Sequence, residues 1–162
     1  MLLTGDFQYL KDIEAFFKHQ PVFALIFQKH DDQLWVCLTF LRAAEVAAVH
    51  DPKRLAPFLR RAKFFYWLAK RGWDEKTCGG GMRWGQGSNY KNAITTELFI
   101  SASIRMYEAI KDKRMLQAAI RGWVWFKMSG MINEQGLVND GLDDKCKYFS
   151  MIFVAYSGIM DR

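Results

Sequence analysis

A chain of 162 residues, 51% hydrophobic and 15% aromatic with only 3 prolines, is long enough for one domain with its own core, and its composition excludes a disordered or collagen-like chain. Thirteen Phe, six Trp and six Tyr exceed the needs of a small core, which leaves rings for a groove or an interface. The formal net charge of +6 favours anionic partners, but the densest basic group, from Lys53 to Arg71, falls on one amphipathic helix and reads as a solvated face, so no nucleic-acid partner is expected.

In chain order, Asp6 is placed to cap a first helix reaching about residue 18, with Phe7, Leu10, Ile13 and Phe17 at helical spacing, and Pro21 closes it. The short apolar run 23–27 reads as a connection, because no partner strand is evident later in the chain. A second helix is expected from about residue 32 to 49, with Leu34, Leu38, Leu41 and Ala48 on one face. Pro52 starts a third, to about residue 70, whose stripe is Leu55, Phe58, Leu59, Ala62, Phe65, Tyr66 and Ala69, with Gly72 as a left-handed C-cap. A Gly-rich loop occupies 73–92. Two further helices follow, at about 93–110 (Leu98, Phe99, Ala102, Met106 and Ala109 inward) and 112–128 (Leu116, Ala119, Ile120 and Trp123 inward). An irregular stretch, 129–146, leads to a last apolar segment. No run approaches the roughly 20 apolar residues of a membrane span, and the first residues lack the pattern of a signal peptide.

The pieces repeat. Arg42-Ala43-Ala44-Glu45 followed by Phe65-Tyr66-Trp67 returns as Arg105-Met106-Tyr107-Glu108 followed by Trp123-Val124-Trp125-Phe126, at an offset of about sixty residues. Each unit is an αα-hairpin followed by a Gly-bearing loop, so the expected fold is all-α, with stacked αα-hairpins and a site on the loop face.

Asp31 and Asp32 stand where the second helix begins. One reading makes them an N-cap and a first-turn acid. The other makes them a pair of catalytic carboxylates, whose diverging side chains fit a glycosidase nucleophile and acid, with burial against a ring such as Trp35 required to raise the acid's pKa. The loop Gly79-Gly80-Gly81-Met82-Arg83-Trp84 lacks the Lys-Ser/Thr of a P-loop and the context of a dinucleotide fingerprint. It reads either as backbone that lets Arg83 and Trp84 approach a sugar, or as a tight turn. Tyr90 is core or lining, and Asn92 is a helix N-cap. Asp140, in the Asn139-Asp140-Gly141 turn, is solvated or presented to a site. His19, His30 and His50 have no ligand spacing, so no metal, no cofactor and no Ser-His chemistry are assigned. Cys37 lies on an apolar helix as inert core; Cys78 and Cys146 fall in loops, where a disulfide forms if the chain is exported.

Three motifs in order, His30-Asp31-Asp32-Gln33-Leu34-Trp35 with Leu41-Arg42-Ala43-Ala44-Glu45, then Cys78-Gly79-Gly80-Gly81-Met82-Arg83-Trp84, then Tyr90-Lys91-Asn92-Ala93-Ile94-Thr95-Thr96-Glu97-Leu98-Phe99, resemble glycoside hydrolase family 76 over roughly residues 6–141. The resemblance implies an (α/α)6 toroid, of which this chain supplies about half, and an activity on α-1,6-linked mannan or a related mannose-containing glycan. It implies Asp31 as retaining nucleophile and Asp32 as general acid/base, with Trp35, Arg83, Trp84, Tyr90 and Asn92 near the sugar. It also implies a secreted or cell-surface location. Residues 147–162 depart from the family pattern, so a single partial domain, 1–162, with an atypical tail is expected, its open half-barrel flank free to self-associate.

Overall fold

The computed structural model describes residues 8–19 and 29–153; the Asp6 cap, the 23–27 connection and the end of the tail lie outside them. Helix α1 spans Gln8–His19. Helix α2 spans His30–His50, so it begins at His30 rather than at residue 32. Lys29 holds the N-cap position in extended backbone, and Asp32 reaches back to accept its N–H at 3.3 Å. Neither aspartate is therefore the N-cap. Both lie in the first turn, where carboxylates satisfy early N–H groups and complement the helix dipole.

Helix α3 spans Pro52–Lys70 with proline at its start, where the missing N–H costs nothing. Helix α4 spans Ala93–Ile110, capped by the Asn92 side chain on the Thr95 N–H at 3.1 Å. Helix α5 spans Lys113–Met128, capped by Asp112 on the Arg114 N–H at 2.9 Å. The hairpins α2/α3 and α4/α5 stack through α2 against α4.

Between them lies a core of Leu34, Phe40, Leu41, Phe58, Phe65, Tyr66, Leu98, Phe99, Met106 and Met115. Tyr66 stacks on Phe99 with centroids 5.9 Å apart, and its hydroxyl meets that of Ser103 at 2.8 Å, which satisfies the polar end of a buried ring. A second cluster, Ala93, Ile100, Trp125, Phe126, Met131 and Leu142, lies beneath the loops.

Some expected faces turn out rotated. Ala48 and Ala109 are exposed, Ile120 is 54% exposed, and the buried face of α5 runs through Met115, Ala118, Ala119, Gly122, Trp125 and Phe126. Gly72 is not a left-handed cap, because its φ is not positive. It is small because the His30 ring lies against it: a Cβ there would come within 2.5 Å of that ring.

A small antiparallel sheet, absent from the sequence reading, crosses the loop end. Strands β1 (Lys91–Asn92), β2 (Val138–Leu142) and β3 (Tyr148–Phe153) lie in that order, with Lys91 opposite Leu142, Asn92 opposite Gly141 and Val138 opposite Phe153. Trp73 pairs with Met82 and Arg83 with Lys91 as isolated bridges. The stretch 73–92 is thus folded backbone, as the buried backbone polar groups of a long loop require.

Candidate active site

The first turn of α2 and the start of α4 meet the same loop. The His30 N–H bonds the Trp84 carbonyl at 2.9 Å and the Trp84 N–H bonds the Tyr90 carbonyl at 3.0 Å, so the aspartate pair, Trp84 and Tyr90 are held together at one end of the hairpins.

Asp31 is half-buried and Asp32 exposed, so the burial against a ring such as Trp35 that the sequence led us to expect for the acid is not seen at Asp32, because its side chain turns to solvent at the helix entrance. Asp31 accepts the Trp84 indole N–H at 3.3 Å on one carboxylate oxygen and the Asp32 backbone N–H at 3.1 Å on the other. The Lys29 ammonium sits 4.3 Å above the Trp84 ring centre, a cation–π contact that steadies the indole. Beneath the pair, His30 is buried, with Nδ1 3.2 Å from the Gln33 carboxamide oxygen. Burial pushes its imidazole below the ordinary histidine range, an effect that the Gln33 hydrogen bond partly offsets and the positive charge of Arg83 reinforces.

Residues in directly paired positions project to the same side of a ladder, and successive residues to opposite sides. Arg83 and Lys91 therefore share one side while Trp84 and Tyr90 share the other. Lys91 has no exposed surface, so its side faces inward. Its ammonium donates to the Asp74 carboxylate and carbonyl, each at 2.8 Å, and to the Gly81 carbonyl at 3.3 Å. Those hydrogen bonds, together with that of the Thr77 hydroxyl, hold the Asp74 carboxyl well below the usual carboxylate range; burial draws the Lys91 ammonium downward while Asp74 draws it back. Arg83 lies on this inner side, its guanidinium 3.5 Å from the Arg71 carbonyl and its buried Nε without a partner among the described residues.

On the outer side Trp84 is 40% exposed. The Tyr90 hydroxyl donates to the Asp140 carboxylate in a short hydrogen bond. Burial and that carboxylate push the phenol above its ordinary range. Asn92 is buried, its carboxamide oxygen accepting from Thr95 and its NH2 donating to the Asp140 carbonyl at 3.1 Å. Trp35 lies one turn along α2 from Asp31, at i,i+4 spacing on the same face. It is 48% exposed and lines, with Arg42, Glu97 and Arg105, a groove of about 700 Å³ between α2 and α4.

The structure thus brings Asp31, Asp32, Trp84 and Tyr90 to one end, sets Trp35 in the adjoining groove, turns Arg83 inward and buries Asn92 as the cap of α4. Sequence reasoning missed Lys91, Asp74 and Glu97. The Glu97 carboxyl is pushed up by burial; a charged residue at a groove-facing position of an otherwise apolar helix was the available signal. Cys78 and Cys146 form a disulfide, with Cα atoms 5.4 Å apart. Among the described residues, no group of three or more His, Cys, Asp or Glu is placed to hold a metal ion.

Helical hairpins stacked side by side, with their long loops at one end and the aspartate pair beside the Trp84 indole there, define an all-α repeat architecture with a loop-end site. The family model described as glycosyl hydrolase family 76 matches residues 4–158, and the chain belongs to that family. It is 26% identical over 120 residues to the mannan endo-1,6-alpha-mannosidase DCW1 of Candida albicans, covering 70% of this chain and 26% of that protein. To the protein of the same name in Eremothecium gossypii it is 25% identical, covering 79% and 31%. The chain therefore spans about a quarter to a third of these relatives.

Among solved structures, the α-1,6-mannanase of Salegentibacter sp. HEL1_6 superposes with a TM-score of 0.64 at 25% identity over 79% of this chain and 36% of that one. An inactive variant of that mannanase, with two consecutive aspartates changed to asparagine and bound to α-1,6-mannotriose, superposes with a TM-score of 0.73 at 21% identity over 93% and 44%. The architecture is an incomplete (α/α)6 toroid.

Proposed function

We propose that this chain carries the aspartate pair of a retaining glycoside hydrolase or transglycosylase acting on α-1,6-linked mannan. The observation that carries the reading is Asp31 and Asp32 side by side in the first turn of α2, with the Trp84 indole N–H on Asp31. Family membership supports it, as does the inactivity of the mannanase variant whose two consecutive aspartates were replaced. In this scheme the Asp31 carboxylate attacks the anomeric carbon while Asp32 protonates the departing glycosidic oxygen. Asp32 then takes a proton from water or an acceptor hydroxyl as the glycosyl–Asp31 ester is displaced.

Trp84 holds Asp31 in place and offers an exposed ring face to a sugar. Trp35, further along the groove, offers a second. The disulfide fits a secreted or cell-surface product. The test is release of reducing ends from α-1,6-mannan by the parent and by Asp31→Asn and Asp32→Asn. Loss of about a thousandfold or more in each variant, with unchanged thermal unfolding, is expected; activity retained in both removes the assignment.

A second reading, a glycan-binding or helical interaction module without turnover, is favoured by one observation: the chain spans 36–44% of the solved mannanase chains it matches. Retention on immobilised mannan without any release of sugar selects it.

A further inference from the structure

Two carboxylates have been placed at the loop end, and a third stands on the same outer face. Trp84 and Tyr90 are paired through the Trp84 N–H on the Tyr90 carbonyl at 3.0 Å, and their side chains lie opposite the inward Arg83 and Lys91. From that outer side Trp84 reaches Asp31 and Tyr90 reaches Asp140. Asp140 belongs to β2 at an irregularity of the sheet, where the register against β3 shifts between Asn139 and Gly141; such irregularities re-aim side chains and often adjoin sites.

Gly141 lets the strand close on Tyr90. A Cβ there would meet the Lys91 carbonyl oxygen and come within 2.7 Å of the Tyr90 ring and hydroxyl. The Asp140 backbone is fixed separately by the Asn92 amide on its carbonyl at 3.1 Å. One Asp140 carboxylate oxygen, Oδ2, accepts the hydrogen bond of the Tyr90 hydroxyl. The other, Oδ1, has no partner among the described residues, and the side chain is only half-buried. The carboxylate is thus held on one side and open on the other.

Resting on the glycan reading above, we propose that Asp140, held by Tyr90, is a third ligand-binding acid of this site, which accepts hydrogen bonds from hydroxyls of a hexose lying across Trp84. An ionised carboxylate is an acceptor with room for more than one hydroxyl, and charge-assisted bonds to it are stronger than neutral ones. A rigidly held acceptor beside a ring face gives a sugar orientation as well as affinity. Asp140 has no part in bond breaking. Its role is to set which hydroxyls face the aspartate pair.

The test is calorimetric titration of α-1,6-mannotriose into the 162-residue chain, its Asp140→Asn form and its Tyr90→Phe form, each also melted. Asp140→Asn keeps the backbone carbonyl that holds Asn92, and is expected to unfold near the parent's midpoint yet bind about tenfold or more weakly. Tyr90→Phe frees the carboxylate to turn and is expected to weaken binding several-fold, with Asp140 still present. If the parent binds and both variants bind within twofold of it, Asp140 is a structural residue and the proposal falls while the glycan reading stands. Should the parent itself fail to bind, both fall together. An Asp140→Asn form that unfolds early, beside a Tyr90→Phe form that folds and binds like the parent, also overturns it.

Discussion

A lysine with no exposed surface must keep its charge on partners, and Lys91 does so on Asp74 and on the carbonyls of Asp74 and Gly81. Removing one member of such a pair leaves the other uncompensated, so Lys91→Met is expected to cost about 3–5 kcal/mol in a denaturant titration. The pH dependence follows from Asp74. Its folded pKa lies below the unfolded value of about 3.9, so its stabilisation is fully present above roughly pH 4 and is lost as the pH falls through the lower folded value. Asp74→Asn should therefore flatten the fall of the melting temperature with acid below pH 4; an unchanged slope would assign acid sensitivity to other groups. Cys37 is a residue of the opposite kind, fully buried, with a thiol pushed up by desolvation to about 12. In non-reducing buffer at pH 8 it should resist alkylation in the native protein and react within minutes once unfolded.

At the scale of elements, the Gly-rich loop is shaped by one indole. Gly80 and Gly81 have positive φ, and the Trp125 ring lies against both, while its Nε1–H donates to the Cys78 carbonyl at 2.9 Å. A side chain at Gly81 meets that ring in a backbone conformation that favours glycine. Gly81→Ala is expected to destabilise by about 2 kcal/mol or more and to alter near-ultraviolet circular dichroism from Trp125. The disulfide joins this loop to the β2–β3 turn across a separation of 68 residues. By loop-closure entropy its reduction should cost up to about 4 kcal/mol, seen as a lower melting temperature under dithiothreitol with the helical signal intact below the new midpoint. The helices themselves were legible because periodicity and caps are local: Pro52, Asn92 and Asp112 mark starts that the structure keeps. Strand β2 was not, since its Asn, Asp and Gly weaken strand propensity, and β3, although apolar, was not read as a strand because its partner β2 was not.

For the molecule as a whole, α5 leaves Ile120, Val124 and Met128 exposed at 54, 48 and 81%, together with Trp73 around a largely apolar groove of about 580 Å³. An apolar patch of this kind promotes association. Sedimentation should detect concentration-dependent self-association that weakens in an Ile120→Lys, Val124→Glu variant; identical profiles would remove this face as the cause.

The sequence by itself determined the helical hairpins, the common end for their loops and the placing of two carboxylates at a helix start, because each follows from spacing along one segment. Only the tertiary structure decided what those carboxylates meet. Asp31 finds Trp84 at a separation of 53 residues, Tyr90 finds Asp140 at 50, and Lys91 turns inward to Asp74 while the adjacent Tyr90 lies on the opposite side. Such pairings depend on how the backbone of the loops crosses itself, which no local pattern of side chains encodes.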